Sequence, residues 1–168
     1  MTALRVLGID CGTTSTGYGV IESDGQKERV LDFGVIRASP RLTLPKRLRY
    51  IHQQVEKLLK RFAPDAVAIE EVFLAANVKS LRQMSQVRGV VLLAAERFHR
   101  PVRAYSATTV KKSVLHGGAE KHQVRHMVQR LLALPELPEP PDAADALAVA
   151  LCHIRHDQVE RNLASLGS

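Results

Sequence analysis

The stretch that most restricts the fold is LRVLGIDCGTTSTGYGV, Leu4 to Val20, where an apolar run delivers a single carboxylate, Asp10, into a glycine-bounded turn. Val6, Leu7 and Ile9 form a short aliphatic and β-branched run closed by turn residues, the pattern of a buried central strand rather than a helix. Asp10 therefore stands where a core ends. Gly12, Gly17 and Gly19 leave room around it, and Thr16 to Ile21 alternates as the second strand of a hairpin. An acid at the end of a central strand, with space above it, suits a cation and a phosphate. An Asx-turn is the competing reading of the same residue.

Ser23-Asp24-Gly25-Gln26 is a turn, and Glu28 to Ala38 supplies a third strand, so the first forty residues form an antiparallel meander. From Leu44 the apolar residues Leu48, Ile51, Val55, Leu58 and Phe62 recur every three or four positions, predicting an amphipathic helix packed on that sheet. Lys46, Arg47, Arg49, Lys57, Lys60 and Arg61 occupy its outer side, and read locally they are a solvated face rather than a DNA contact. Ala63-Pro64-Asp65 stops the helix. Ala66 to Ile69 is a short buried strand ending in Glu70-Glu71, which repeats the logic of Asp10. Side chains alternate along a strand, so only one of the two glutamates shares a face with Asp10, and periodicity leaves open which.

Asn77 caps a helix from about Val78 to His99. Within it Val90 to Ala95 is apolar on every side and must be covered on every side, either by the rest of the domain or by a second subunit at a dimer interface. Val102 to Tyr105 is a strand, Ser106 caps a helix to about Leu115, and strand and helix now alternate as in a parallel α/β half. Lys111, Lys112, His116, Gly117, Gly118, Lys121, His122 and Arg125 make a basic run around a Gly-Gly turn, an arrangement that brings amides and lysines close to phosphates. Gln123 to Leu134 is a further helix, and PELPEPP is a stiff connector. In PDAADALAVALCH, Asp142 and Asp145 lie three apart at a helix start and share a face, while Ala143, Ala144 and Ala146 let that helix approach a sheet. The architecture is a mixed five-stranded α/β sheet, an antiparallel meander joined to a parallel half and flanked by helices. One domain is expected over 1–157, with 158–168 a tail.

GIDCGTT resembles the first phosphate loop of sugar kinases and actin-like ATPases, but 168 residues are too few for two large kinase lobes. Lys and Arg number 24 against 17 acids, a net charge of +7, which suits a polyanionic partner such as nucleic acid. Two cysteines with no CxxC make neither a disulfide framework nor a zinc site, and point to a reducing, cytoplasmic setting. No apolar run reaches membrane-span length, and with no Trp, three Tyr and four Phe a stacking platform for single strands is not expected. Three separate stretches bring carboxylate to an apolar edge: Asp10, Glu70 or Glu71, and Asp142 with Asp145. Clustered oxygens select hard ions such as Mg²⁺ or Mn²⁺, and two such ions suit in-line phosphodiester hydrolysis.

The order LGIDCGTTSTGYGVI, AIEEVF, QVRGV, AEKHQVRHMV and PDAADALAVA resembles the RuvC family of Holliday-junction resolvases over nearly the whole chain. The resemblance implies an RNase H-like fold and a cytoplasmic homodimer that nicks opposed strands of a four-way DNA junction symmetrically, in recombination and repair, leaving 5'-phosphate and 3'-hydroxyl ends. It implies Asp10, Glu70, Asp142 and Asp145 as catalytic metal ligands for two Mg²⁺, with Mn²⁺ able to substitute. It further implies Phe73 as a base-stacking wedge, Lys111 and Lys121 as phosphate contacts, and the RuvA and RuvB branch-migration proteins as partners. Cys11 stands where many relatives have proline, and Glu71 where many have glutamine.

Overall fold

The computed structural model describes residues 3–71, 77–115 and 121–166, apart from the side chains of Lys121 and His122. Its elements follow the order β1 (Leu4–Asp10), β2 (Ser15–Ser23), β3 (Glu28–Arg37), α1 (Leu44–Phe62), β4 (Ala66–Glu70), α2 (Val78–Arg97), β5 (Val102–Tyr105), α3 (Ala107–Val114), α4 (Lys121–Leu131) and α5 (Pro141–Leu166). The strands form one sheet in the order β3-β2-β1-β4-β5. β1 is antiparallel to β2 and β2 to β3, while β1 is parallel to β4 and β4 to β5. This is the expected meander joined to a parallel half, with the Asp10 strand at its centre.

Strand alternation sorts the core into two layers. Leu7, Ile9, Val20, Val67 and Ile69 face α1 and α2 and pack with Ile51, Val55, Val87 and Val91. Val6, Ile21 and Ala68 face the other way, onto Leu147, Leu151 and Ile154 of α5, with Val110, Val124 and Val128 of α3 and α4 behind. Wedged between sheet and helices, α5 is buried at eleven of the twelve positions from Ala143 to Ile154, which accounts for a sequence apolar on every side. Small residues make the approach close: a Cβ at Gly8 would overlap the Ala146 carbonyl and lie 3.0 Å from Ala150 Cβ.

Helix ends follow local chemistry. Pro45 stands in the first turn of α1, and Ala63 closes the helix in the left-handed region at φ 43° with its amide donating to the Leu59 carbonyl. Asn77 and Ser106 cap α2 and α3 by accepting from the amides of Ser80 and Thr109. One expectation differs from the structure. Residues 158–166, anticipated as tail, continue α5 as helix with mostly exposed side chains. On α2 the domain leaves part of the helix face open, with Leu93 57% exposed and nothing within 4 Å of a Cβ on Gly89, so a second subunit is the remaining cover expected for it. Among the described residues no helix is long and apolar enough to cross a membrane.

Candidate metal and phosphodiester site

The site is built where three elements reach one end of the sheet. β1 ends at Asp10, and its side chain points to the α5 face because it is two and four residues beyond Gly8 and Val6. α5 starts at the same end, held down on β2 at Gly17, the cross-strand partner of Asp10; a Cβ at Gly17 would overlap the Asp142 carbonyl and sit 3.1 Å from the Ala143 nitrogen. The glycines expected to leave room around Asp10 thus serve another purpose: the space over Gly17 and Gly19 is filled by α5, and that over Gly12 by the Ser15 carbonyl.

That docking brings the acids together. Carboxylate oxygens of Asp10, Asp142 and Asp145, all partly buried, lie within 4.8 Å of one another. The three-residue spacing puts Asp142 and Asp145 on one face of α5, and the Ser15 hydroxyl at the start of β2 donates a hydrogen bond to Asp142 Oδ2. Thr16, fully buried one residue on, donates to the Gly12 carbonyl at 2.5 Å and ties the turn to the strand.

The register also separates Glu70 from Glu71. Ile9 pairs with Ile69 in parallel, so Glu70 is the next residue beside Asp10, and it shares with Ala68 the face turned toward α5. Glu70 lies outside the 4.8 Å group. Glu71 has left the strand, and its amide donates to the Tyr105 carbonyl at 2.8 Å. Lys111 is exposed on α3, the helix that follows β5 from this end of the sheet. Lys121 opens α4. Phe73 lies outside the described residues.

Cys11, next to Asp10, is buried, and burial first, then the Asp10 carboxylate, push its thiol up to about 12 against the opposing pull of Arg88. It is a protonated packing residue at neutral pH, neither a nucleophile nor a thiolate ligand. The donor set is therefore all oxygen. At an effective dielectric of ~20, two ionised carboxylates at this separation repel by about 3 kcal/mol, a cost that a divalent cation removes. The residues fit a hard ion such as Mg²⁺ or Mn²⁺ better than zinc. Sequence reasoning missed Ser15, one hydroxyl in the run TTST, and no local signal separates it from its neighbours.

Comparison with known proteins places this geometry. The family model described as "Crossover junction endodeoxyribonuclease RuvC" matches residues 6–153. The RuvC of Syntrophomonas wolfei is 44% identical over 163 residues, 96% of this chain and 95% of its own, and that of Hahella chejuensis is 46% identical over 166 residues, 98% and 95%. Thermus thermophilus RuvC in complex with a Holliday junction substrate superposes with a TM-score of 0.89 at 38% identity, covering 94% of this chain and 96% of that one. The yeast mitochondrial resolvase Ydc2, 17% identical with a TM-score of 0.68, shares the fold. With a family model spanning most of its length and relatives above 40% identity over nearly all of it, the chain belongs to the RuvC family of crossover junction endodeoxyribonucleases.

Proposed function

We propose that this protein resolves four-way DNA junctions by paired, symmetric nicks, using divalent cations held by Asp10, Glu70, Asp142 and Asp145. The observation that carries the reading is the convergence of Asp10, Asp142 and Asp145 within 4.8 Å at the end of the central strand of a RuvC-family chain. Glu70, on the adjacent strand at the level of Asp10 and outside that group, would supply the fourth carboxylate to the bound cations. When bound, two Mg²⁺ would supply an activated water and stabilise the leaving oxygen, giving 5'-phosphate and 3'-hydroxyl ends.

The remaining work falls to the protein. Asp10, fixed by β1, and Asp142 with Asp145, fixed by α5, present oxygens from two elements locked together by close backbone packing, so their spacing is set before substrate arrives. Ser15 orients Asp142. Lys111 on α3 and Lys121 at the start of α4 would neutralise phosphates beside the cut strand, and Phe73 would stack at the junction centre.

Symmetric cutting of a two-fold substrate needs a two-fold enzyme. The exposed face of α2, with Val78 72% and Leu93 57% exposed beside the open Gly89, is the surface on which a second copy would pack. RuvA and RuvB are the partners that family membership suggests, in the bacterial cytoplasm.

The test is cleavage of a synthetic four-way junction and its matched linear duplex, with Mg²⁺ and with chelator. Paired nicks at symmetric positions on the junction alone, abolished by chelator, support the reading. A protein that binds the junction and never cuts it with Mg²⁺ or Mn²⁺, across several core sequences, contradicts it.

A further inference from the structure

The chain's charge is concentrated in one place. Residues 37–61 carry eight Lys and Arg (Arg37, Arg41, Lys46, Arg47, Arg49, Lys57, Lys60, Arg61) against the single acid Glu56, a net of +7. That equals the charge of the whole protein, and the rest of the chain carries sixteen residues of each sign. Read as sequence, these cations are an ordinary solvated helix face. Their position in the fold argues otherwise.

β3 runs parallel to β1, because both are antiparallel to β2, so β3 ends at the same end of the sheet as Asp10. Its last residue, the exposed Arg37, pairs with Ser15, whose hydroxyl is bonded to Asp142. From there the exposed Arg41 leads to the start of α1. Along α1 the residues Lys46, Arg49, Lys57, Lys60 and Arg61 fall on one outward stripe, opposite the buried Ile51, Val55 and Leu59. From Lys46 to Arg61 the stripe runs about 22 Å along the helix, the length of roughly six or seven base pairs.

Two features show that the stripe is not neutralised from within. Arg37, Arg41, Lys46, Arg49, Lys57 and Lys60 make no ion pair among the described residues; on the stripe Arg61 alone is paired, to Asp32 at 3.5 Å, and Glu56 is committed to Arg97 at 2.8 Å. In addition, a groove of about 400 Å³ between β3 and α1 is lined by Tyr18, Arg37, Tyr50, Gln54, Lys57 and Arg61, three cations and two phenols without a carboxylate. Hydroxyl, amide and cationic donors around an open groove are the chemistry of sugar-phosphate backbone contacts.

We infer that the β3–α1 face is a second phosphodiester-binding surface, which seats the backbone of the duplex arm that leaves the carboxylate site across the edge of the sheet. The inference rests on the nuclease reading for its ligand and adds to it where the arm goes. Such a surface contributes sequence-independent, salt-sensitive affinity and fixes the angle of the arm, while the cut is made at the carboxylates.

The experiment compares two folded variants of equal net charge: Arg41→Gln/Lys46→Gln/Arg49→Gln on the track, and Lys27→Gln/Arg103→Gln/Arg130→Gln on exposed positions away from it. Binding to four-way junctions with arms of ~20 and ~6 base pairs is measured in chelator from 50 to 200 mM salt. The track variant is expected to lower the slope of log K against log salt by about 2 to 3, ~0.9 for each lost phosphate contact. It should also lose most of the advantage that the unsubstituted protein gains from long arms, while the off-track variant keeps both. Equal losses in the two variants would reduce the effect to net charge and overturn the inference, as would an unchanged slope and arm-length dependence in the track variant while the unsubstituted protein binds and cuts junctions. Failure of the unsubstituted protein to bind junctions at all would instead overturn the nuclease reading, and this inference with it.

Discussion

Replacing Gly17 by alanine tests whether backbone packing, rather than the acids alone, makes the site. The added Cβ would overlap the Asp142 carbonyl and come within 3.1 Å of the Ala143 nitrogen, both backbone atoms that cannot rotate away. Relief requires the first turn of α5 to lift from β2 by about 1 Å, at an overpacking cost of roughly 1–3 kcal/mol. In a domain of this size that lowers Tm by about 2–4 °C per kcal/mol. The same movement carries Asp142 and Asp145 away from Asp10, and a 1 Å misplacement of reacting groups costs on the order of 10²-fold in rate. Single-turnover junction cleavage with Mg²⁺, beside thermal unfolding and junction binding in chelator, separates the effects. The expected result is a large rate loss with a modest drop in Tm and near-normal binding. Gly17→Ala protein that cuts within about threefold of the unsubstituted rate would refute the argument that this contact sets the carboxylate spacing.

Other consequences are as direct. Ser15→Ala removes the hydrogen bond to Asp142; a bond to a charged group is worth about 1.5–3 kcal/mol, so cleavage at fixed Mg²⁺ should fall about tenfold or more and return in part with Ser15→Thr. Leu93→Glu puts a charge on the exposed face of α2, and light scattering should find monomer at concentrations where the unsubstituted chain is a dimer; an intact dimer would place the interface elsewhere. His153 is buried, with Nδ1 2.7 Å from the Tyr105 hydroxyl. Burial lowers its pKa against the upward pull of Asp157 and Glu160, with Arg103 and His156 adding to the lowering. The unfolded chain therefore takes up this proton first as pH falls below about 6.5, and stability is lost in that direction. Urea midpoints between pH 7 and 5 should drop less in His153→Gln than in the unsubstituted protein.

Much of the fold was legible because the pattern changes period where the structure does. Alternation marks β2, a continuous aliphatic run marks β1 and β4, and steps of three and four mark α1, each within a residue or two of the observed element. What local pattern could not supply was contact between distant segments. Asp10 and Asp142 are 132 residues apart in sequence, and they meet because Gly8 and Gly17 admit the backbone of α5 and Gly19 the Leu147 side chain, a tertiary fit that composition does not encode. Periodicity leaves Glu70 and Glu71 indistinguishable; the family resemblance points to Glu70, and the parallel pairing of β1 with β4 supplies the physical reason, the face it occupies. Ser15 is one of several adjacent hydroxyls until α5 brings Asp142 to it. The α1 cations show the same limit. Their spacing is that of any solvated helix, and only the direction of β3 puts the start of α1 at the carboxylate end of the sheet.

The most direct test of the carboxylate centre is the single-turnover rate of junction cleavage by Asp145→Asn, measured with saturating Mg²⁺ on protein shown to bind the junction in chelator as well as the unsubstituted chain does. Removing one charge from the Asp10, Asp142 and Asp145 group should withdraw several kcal/mol of metal-assisted stabilisation, about 10³-fold or more in rate, with binding unchanged or slightly tighter. Cleavage by Asp145→Asn within about threefold of the unsubstituted protein would contradict the claim that these carboxylates form the catalytic centre.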